Sequence, residues 1–173
     1  RGFLSEKWTW DYRSFWVDIG ALHPELMSNT KIFSDAGWRG INVDPSVDAF
    51  RLFEKKRKRD INVNVGIGPV PGMLDYYRFP QAAVNTLSKE FAEKCIRDGM
   101  AVLRDVVKVP VITMKQLLDD YLPTGQHIDF VTIDCEGLDI EILRSNDWVK
   151  YRPDYVLIEI HTGDRNWLIP ESP

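Results

Sequence analysis

Polar residues that could bind a ligand follow short apolar segments at several points of this 173-residue chain. Asp18 and Gly20 stand at the end of the first such segment, residues 15–19. Carboxylates accept hydrogen bonds from hydroxyl and ammonium groups, and an imidazole exchanges a proton near neutral pH. The same kind of position is held by Asp44, by Gly66 with Gly68, by Asp134 with Glu136, and by Glu159 with His161.

These groups need strands to position them, and the apolar segments predict five. They are residues 15–19, 41–44, 61–65, 128–133 and 155–160. Amphipathic segments separate the strands, which is typical of right-handed βαβ crossovers. The sequence therefore predicts an α/β fold: a Rossmann-like, doubly wound, mostly parallel sheet with helices on both faces. In such sheets ligands bind at the carboxyl ends of the strands, where all of these polar groups lie.

Helices are predicted from spacing and from capping residues. Leu26, Thr30 and Phe33 recur at helical spacing, and Gly37 can end that helix. The middle of the chain is less regular, because residues 74–79 fit either an edge strand or a loop. Further predictions are a helix capped by Ser46, a helix within 88–100, an extended piece at 106–112, a helix begun by the capping box at Thr113, and a helix after Gly137.

Composition predicts one domain over residues 1–173, with 44% hydrophobic and 28% charged residues. No apolar run approaches the roughly 20 residues that span a bilayer, so we predict no stable membrane insertion and a cytoplasmic location by default. A net charge of −4 argues against nucleic-acid binding. Cys95 and Cys135 lack disulfide or metal-site spacing and are predicted to be reduced and buried.

Five consecutive cations, residues 55–59, form the one strongly charged stretch. Charge runs usually face water, and a helix C-terminus favours positive charge. We therefore predict a solvated helix end. The alternative is a patch that binds an acidic substrate or a membrane surface.

The spacing of Gly20 and Asp44 indicates a nucleoside ligand. Asp44 follows Gly20 by 24 residues, where an acidic side chain accepts both ribose hydroxyls in Rossmann-like sites. The chain has no GxGxxG motif, which speaks against the pyrophosphate of NAD or FAD. S-adenosylmethionine, a nucleoside without phosphates, fits this pattern.

Four blocks of sequence carry a resemblance. In chain order they are FWVDIGALHPELMSNTKIFSDAGWRGINVDP, INVNVGIG, FVTIDCEGLDIEILRSNDW and YRPDYVLIEIH. Together, over about residues 15–161, they resemble the FkbM family of S-adenosylmethionine-dependent methyltransferases. The resemblance implies a class I methyltransferase fold with a seven-stranded sheet, S-adenosyl-L-methionine as cofactor, and methylation of a hydroxyl on a sugar, glycan or natural product.

The resemblance also implies which residues bind the cofactor. Asp18, Gly20 and Ala21 would form the cofactor turn, Asn29 and Thr30 would approach the methionine end, Asp44 would hold the ribose, Asn64, Val65 and Gly66 would flank the adenine, and Asp134 and Glu136 would border the methionine and the acceptor.

A hydroxyl acceptor benefits from a general base, and His161 is our first candidate, with Glu159 and Asp134 as alternatives. These residues and Glu136 could instead bind a divalent cation, since oxygen ligands suit magnesium or manganese. Their spacing is not a metal signature, so we predict no metal and a carboxylate site for the cofactor ammonium. Tyr76, Tyr77 and Trp167 are candidates for stacking against the acceptor.

Two features depart from the family pattern. Leu22 stands where the family commonly has Asn, and the chain ends soon after the fifth strand. We therefore expect either a fragment of a longer protein, without the last two strands, or a sheet that is completed in an unusual way. Two other functions stay open. One is a nicotinamide-dependent sugar oxidoreductase or epimerase, although a Tyr-x-x-x-Lys pair is missing. The other is a non-catalytic S-adenosylmethionine-binding module. The predicted partner is a small-molecule or glycan acceptor, and the sequence leaves the oligomeric state open.

Overall fold

A computed structural model describes residues 14–160. Within this range the strands are β1 (Phe15–Ile19), β2 (Arg39–Val43), β3 (Ile61–Val63), β4 (Gly66–Ile67), β5 (Gly72–Arg78), β6 (Asp105–Ile112), β7 (Phe130–Ile133) and β8 (Tyr155–Ile158). The α-helices are α1 (Lys31–Asp35), α2 (Val47–Lys56), α3 (Lys89–Arg97), α4 (Met114–Tyr121) and α5 (Asp139–Arg144). A 3-10 turn, Ala82–Val84, precedes α3.

Five strands form one parallel sheet in the order β3-β2-β1-β7-β8. All five residues of β1 are buried, as expected for a central strand covered on both faces. The chain runs outward from β1 through β2 and β3, then returns to the other side of β1 with β7. This reversal beside β1 is the switch point of a doubly wound sheet, and it confirms the predicted Rossmann-like α/β fold.

The strands differ from their predicted ranges at the ends. The third strand stops at Val63, because the chain leaves the central sheet there and residues 66–67 pair elsewhere as β4. The fourth strand begins at Phe130, two residues later than predicted, and the fifth stops at Ile158. The apolar segments of the sequence thus identify each strand, while pairing with the neighbouring strand determines where the strand begins and ends.

A second sheet contains β4, β6 and β5, in that order. β5 pairs antiparallel with β6, from Gly72 opposite Val111 to Arg78 opposite Asp105. The segment at 74–79 is therefore a strand and not a loop, and its partner is the predicted extended piece at 106–112. From Asp105 to Val111, β6 alternates exposed residues with buried or partly buried ones, which suits a sheet with one face toward the protein.

Capping residues begin three of the helices, at Ser46 and Thr113 as predicted and also at Ser88. Ser46 accepts a hydrogen bond from the Ala49 amide, and Ser88 accepts one from the Phe91 amide. Thr113 forms a complete capping box with Gln116 at the start of α4. No helix within residues 14–160 is long and apolar enough to cross a membrane.

The predicted helix through Leu26, Thr30 and Phe33 is wrong in its first half. Helix α1 covers only Lys31–Asp35, and Leu26 lies in a bend with 67% of its surface exposed. Thr30 stands at the N-cap position without capping the helix, because its hydroxyl donates to Asp18 instead. Tertiary hydrogen bonds therefore override the helical spacing. Gly37 follows the helix with a φ of +94°, as predicted for a residue that ends it.

The prediction that the basic run faces water is wrong for Arg57. Its four neighbours in the run are exposed, but Arg57 is 7% exposed. The guanidinium lies 5.6 Å from the ring centre of Trp16 and 5.8 Å from that of Phe53. A charge pattern alone does not distinguish one buried cation among exposed ones, and Arg57 is buried because hydrogen-bond acceptors from a neighbouring loop surround it.

Trp16 of β1 packs flat against the next strand. Its indole nitrogen donates to Asn42, and the ring covers Gly40 of β2. A Cβ at Gly40 would lie 2.3 Å from the indole nitrogen, so only glycine leaves room for the ring. This contact joins the two strands whose carboxyl ends carry Asp18 and Asp44.

We predict that Gly40→Ala destabilises the protein. The added methyl group must displace Trp16, and overpacking of this kind costs about 1–3 kcal/mol or more. The measurement is the free energy of unfolding in urea, with Arg39→Ala at the exposed start of β2 as control. Equal stability of Gly40→Ala and the parent protein would show that Trp16 moves freely, against the close packing described above.

Candidate active site

A cavity of about 270 Å³ opens at the carboxyl ends of β1, β2 and β7. This is the edge at which a doubly wound sheet binds ligands. The predicted site residues that line it are Asp18, Gly20, Ala21, Asn29, Asp44, Val65, Asp134 and Glu136.

The turn after β1 needs glycine because the neighbouring strand lies so close. Gly20 has a φ of +81°, and a Cβ there would lie 1.9 Å from the carbonyl oxygen of Asp134. The amides of Gly20 and Ala21 both donate to the Val43 carbonyl at 3.0 Å. The turn is therefore fixed between β2 and β7, and any side chain at Gly20 would separate β1 from β7.

Asp44 ends β2 and organises the loop that follows β1. Its Oδ2 accepts from the Leu22 amide at 2.9 Å, and its Oδ1 accepts from the Ser46 amide at 2.7 Å. Burial raises the pKa of Asp44 to about 6, although both amides oppose the shift. Each carboxylate oxygen has a second lone pair, so the group can still accept hydroxyl hydrogen bonds from a ligand in the cavity.

Leu22 adopts a left-handed backbone conformation with a φ of +52°. Asn tolerates this region better than a bulky residue does. The contact that matters to Asp44 comes from the backbone amide of Leu22, which any residue type except proline provides. The difference from the family pattern at Leu22 therefore affects backbone strain and the surface of the cavity, while the bond to Asp44 is retained.

Asp18 is a buried carboxyl group at the end of β1, with 3% of its surface exposed. Burial raises its pKa to about 7, opposed by the hydroxyl of Thr30 and the charge of Arg57. The Thr30 hydroxyl donates to Asp18 Oδ2 at 2.7 Å. Asp18 can therefore change its charge near neutral pH within the cavity.

Two of the residues predicted near the methionine end differ in placement. Asn29 lines the cavity, and its amide donates to the Thr132 hydroxyl at 3.1 Å. Thr30 is fully buried behind Asp18 and does not belong to the cavity lining. It acts on the site through Asp18.

The three residues predicted beside the adenine also differ in where they lie relative to the cavity. Val65 lines the cavity, whereas the Asn64 amide donates to the Asp44 carbonyl at 2.9 Å and so supports the loop after β2. Gly66 lies beneath Leu87, whose Cδ1 would be 2.7 Å from a Cβ at this position. Gly66 therefore permits close packing of the segment that covers the cavity, and it is not part of the lining.

Three carboxylates meet at the ends of β7 and β8. One oxygen each from Asp134, Glu136 and Glu159 lies within 4.8 Å of the others. Asp134 and Glu136 line the cavity, and Glu159 is exposed beside them. This arrangement suits a cation, either an ammonium group or a metal ion. His161, our first candidate for the base, lies outside the described residues, as does Trp167.

Asp139 holds the loop that carries two of these acids. Its carboxylate accepts from the Cys135 amide at 2.8 Å and from the Gly137 amide at 3.1 Å. The predicted helix after Gly137 is α5, which begins after Leu138 and has no side-chain cap there. In the sequence, Asp139 can be recognised as an acidic residue in the first helical turn after Gly137, a position that favours negative charge.

The second sheet and the segment after it supply the far wall of the cavity. Tyr76 of β5 is 5% exposed and lines the cavity, so it stays a candidate for contact with the acceptor. The Thr86 hydroxyl donates to the Glu136 carbonyl at 2.8 Å and so ties this wall to the β7 loop. Residues of this wall that the sequence did not indicate are Ala82, Ala83, Asn85, Thr86 and Leu87.

Comparison with family models agrees with this geometry. The model of the methyltransferase FkbM domain matches residues 18–169. The chain belongs to this methyltransferase family. Searches of curated proteins and of solved structures return no match. The FkbM-domain match covers the end of β1 from Asp18 onward, the four other strands of the central sheet and the residues of the cavity. It identifies the chain as a methyltransferase that uses a methyl donor.

We predict that Leu22→Asn raises the free energy of unfolding by about 1 kcal/mol, because Asn relieves part of the cost of a left-handed backbone. Chemical denaturation measures the effect. Leu26→Asn in the same loop is the matched control, since Leu26 is exposed and is not among the described residues with positive φ. Equal effects of the two substitutions would contradict the prediction.

We also predict that Asp18→Asn changes how stability depends on pH. The folded protein holds the Asp18 proton up to a pKa of about 7, so this stabilising contribution is lost as pH rises through that value. The advantage of the variant over the parent should therefore grow between pH 5 and pH 8, by an amount on the order of a few kcal/mol. Asp120→Asn, on the exposed face of α4, is the control. If variant and parent differ in free energy of unfolding by the same amount at both pH values, Asp18 does not gain a buried charge between them, and the prediction is wrong.

Proposed function

We propose that the protein is an S-adenosylmethionine-dependent methyltransferase that acts on a hydroxyl of a sugar, glycan or natural product. The observation that carries the proposal is the placement of Asp44. Its carboxylate lies at the end of β2, in the same cavity as the Gly20 turn. An acidic side chain at this point of a doubly wound sheet suits the two hydroxyls of a ribose.

The rest of the cavity matches the other parts of this cofactor. Val65 and Ile67 offer an apolar surface for an adenine ring. The carboxylates of Asp18, Asp134 and Glu136 line the same cavity, where they can hold the ammonium group of the methionine part. A methyl donor with one nucleoside and one amino acid therefore finds partners for its ribose, its adenine ring and its ammonium group.

Methyl transfer to a hydroxyl is an in-line displacement. The acceptor oxygen forms a bond to the methyl carbon while the carbon–sulfur bond breaks and its electron pair returns to sulfur. The hydroxyl proton passes to a base, for which Asp134 and Glu159 stand at the cavity edge and His161 remains the first prediction. The protein contributes alignment of the two reactants and a site sheltered from water.

Acidic residues around the cavity limit the acceptors. Asp134, Glu136 and Glu159 place negative charge where the acceptor must approach. An acceptor that is itself anionic would be repelled, so a neutral polyol fits this edge better. This agrees with a sugar hydroxyl as the methylated group.

Calorimetry with S-adenosylhomocysteine, S-adenosylmethionine and NAD tests the cofactor. We expect heat of binding with both sulfur ligands and none with NAD. Asp44→Ala should weaken binding of S-adenosylhomocysteine by about 1–3 kcal/mol, through loss of ribose hydrogen bonds. Asp120→Ala, remote from the cavity, is the control.

Asp44 also accepts hydrogen bonds from the Leu22 and Ser46 amides, so Asp44→Ala changes more than the ribose contact. A change in the ligand tests the ribose contact alone. The 2′-deoxyribose analogue of S-adenosylhomocysteine should bind the parent protein more weakly than the natural ligand. On Asp44→Ala the two ligands should bind equally. If the analogue is discriminated as strongly by Asp44→Ala as by the parent protein, Asp44 is not the ribose ligand.

A further inference from the structure

Arg57 links the end of α2 to the loop between Gly20 and Thr30. The Pro24 carbonyl accepts from its Nε at 3.1 Å and from its Nη2 at 2.6 Å. The Ser28 hydroxyl lies 3.2 Å from Nη2. Because the guanidinium fork is rigid, these bonds fix the middle of the loop against α2 in one orientation.

The same side chain reaches Asp18 through Thr30. Arg57 Nη1 donates to the Thr30 hydroxyl at 3.4 Å, and that hydroxyl donates to Asp18 Oδ2 at 2.7 Å. All three side chains are buried. Water therefore screens the positive charge poorly, and its influence on the Asp18 carboxyl group is larger than at a surface.

We propose that Arg57 is a positioning residue for the methyl donor, holding the Gly20–Thr30 loop in its binding shape and, through Thr30, keeping the Asp18 carboxylate charged and oriented toward the cavity. This inference rests on the proposed function, and it assigns a role to one cation of the basic run that the sequence did not separate from the others.

The charges that face Asp18 explain why such a cation is needed. Asp44 at the end of β2 and Asp134 at the end of β7 both repel a charge on Asp18, and burial disfavours that charge further. The positive charge of Arg57 opposes these effects and lowers the pKa of Asp18. Arg57 is also shared with Asp60, whose Oδ2 lies 3.8 Å from Nη1. Loss of Arg57 should therefore raise the pKa of Asp18.

The substitution Arg57→Met removes the charge and the hydrogen bonds while keeping a long side chain over Trp16. Lys58→Met is the matched control, because Lys58 is the next residue and is exposed. Arg57→Lys keeps the charge and loses the fork. Thr30→Val breaks the relay to Asp18 together with the contact between the Thr30 and Ser28 hydroxyls, and it decides the question should Arg57→Met fail to fold.

Two measurements are made on each folded variant. Carbon-13 NMR of the Asp18 carboxyl group follows its titration in the ligand-free protein, and calorimetry between pH 5.5 and 8 follows affinity for S-adenosylhomocysteine. Arg57→Met and Thr30→Val should move the Asp18 titration to higher pH. Affinity falls as pH drops through that pKa, so its decline should begin at higher pH, with a loss of about tenfold at pH 7. Arg57→Lys should restore the titration in part, and Lys58→Met should change neither.

The outcomes separate this inference from the proposed function. If Asp18 titrates alike in the parent, Arg57→Met and Thr30→Val, the relay is refuted, whatever the affinities are. If affinity falls in Arg57→Met with an unchanged pH profile, Arg57 is only structural and the inference fails. If the parent protein binds neither sulfur ligand, the proposed cofactor fails, while the NMR titration still decides whether Arg57 governs the charge of Asp18.

Discussion

The close approach of the turn after β1 to the end of β7 determines the rest of the site. Gly20 leaves room for the Asp134 carbonyl, and the Asp134 amide in turn donates to the Ile19 carbonyl at 3.0 Å. The Val43 carbonyl of β2 accepts two amides from the same turn. Three strand ends are thereby held at fixed spacing, and the acids they carry, Asp18 and Asp44 among them, converge on one cavity. A parallel sheet brings strand ends together only when nothing bulky stands between them.

The convergence of buried acidic side chains destabilises the folded protein, but it provides acceptors for the polar groups of a ligand. Burial raises the pKa values of Asp18 and Asp44 to about 7 and about 6. Each group receives hydrogen bonds that offset part of this cost, from the Thr30 hydroxyl and from the Leu22 and Ser46 amides. A bound cofactor with an ammonium group and a ribose diol would supply further bonds. Sites that bind charged ligands commonly hold charge in this way, at some cost to the stability of the ligand-free protein.

Sequence periodicity predicted the central sheet because each strand's apolar character is local. The helix through Leu26 failed for the opposite reason: Arg57, far along the chain, holds the Pro24 carbonyl and leaves the loop irregular. Cavity residues at the ends of strands were predictable from the rule that ligands bind there. The wall formed by Ala82, Asn85 and Leu87 was not, because those side chains carry no pattern and their position depends on the pairing of β5 with β6.

The second sheet supplies a wall of the cavity that can vary separately from the central sheet. Its strands β4 and β5 follow β3 directly, and the segment after β5 returns over the cavity, where Thr86 bonds to the Glu136 carbonyl. The floor of the cavity is fixed by strand ends that also hold the sheet together, so changes there would cost stability. The covering wall is joined to the floor by few described polar contacts and can vary with less effect on the core. In the proposed function, selection among acceptors therefore falls to Tyr76 and the wall beside it, while the floor holds the methyl donor.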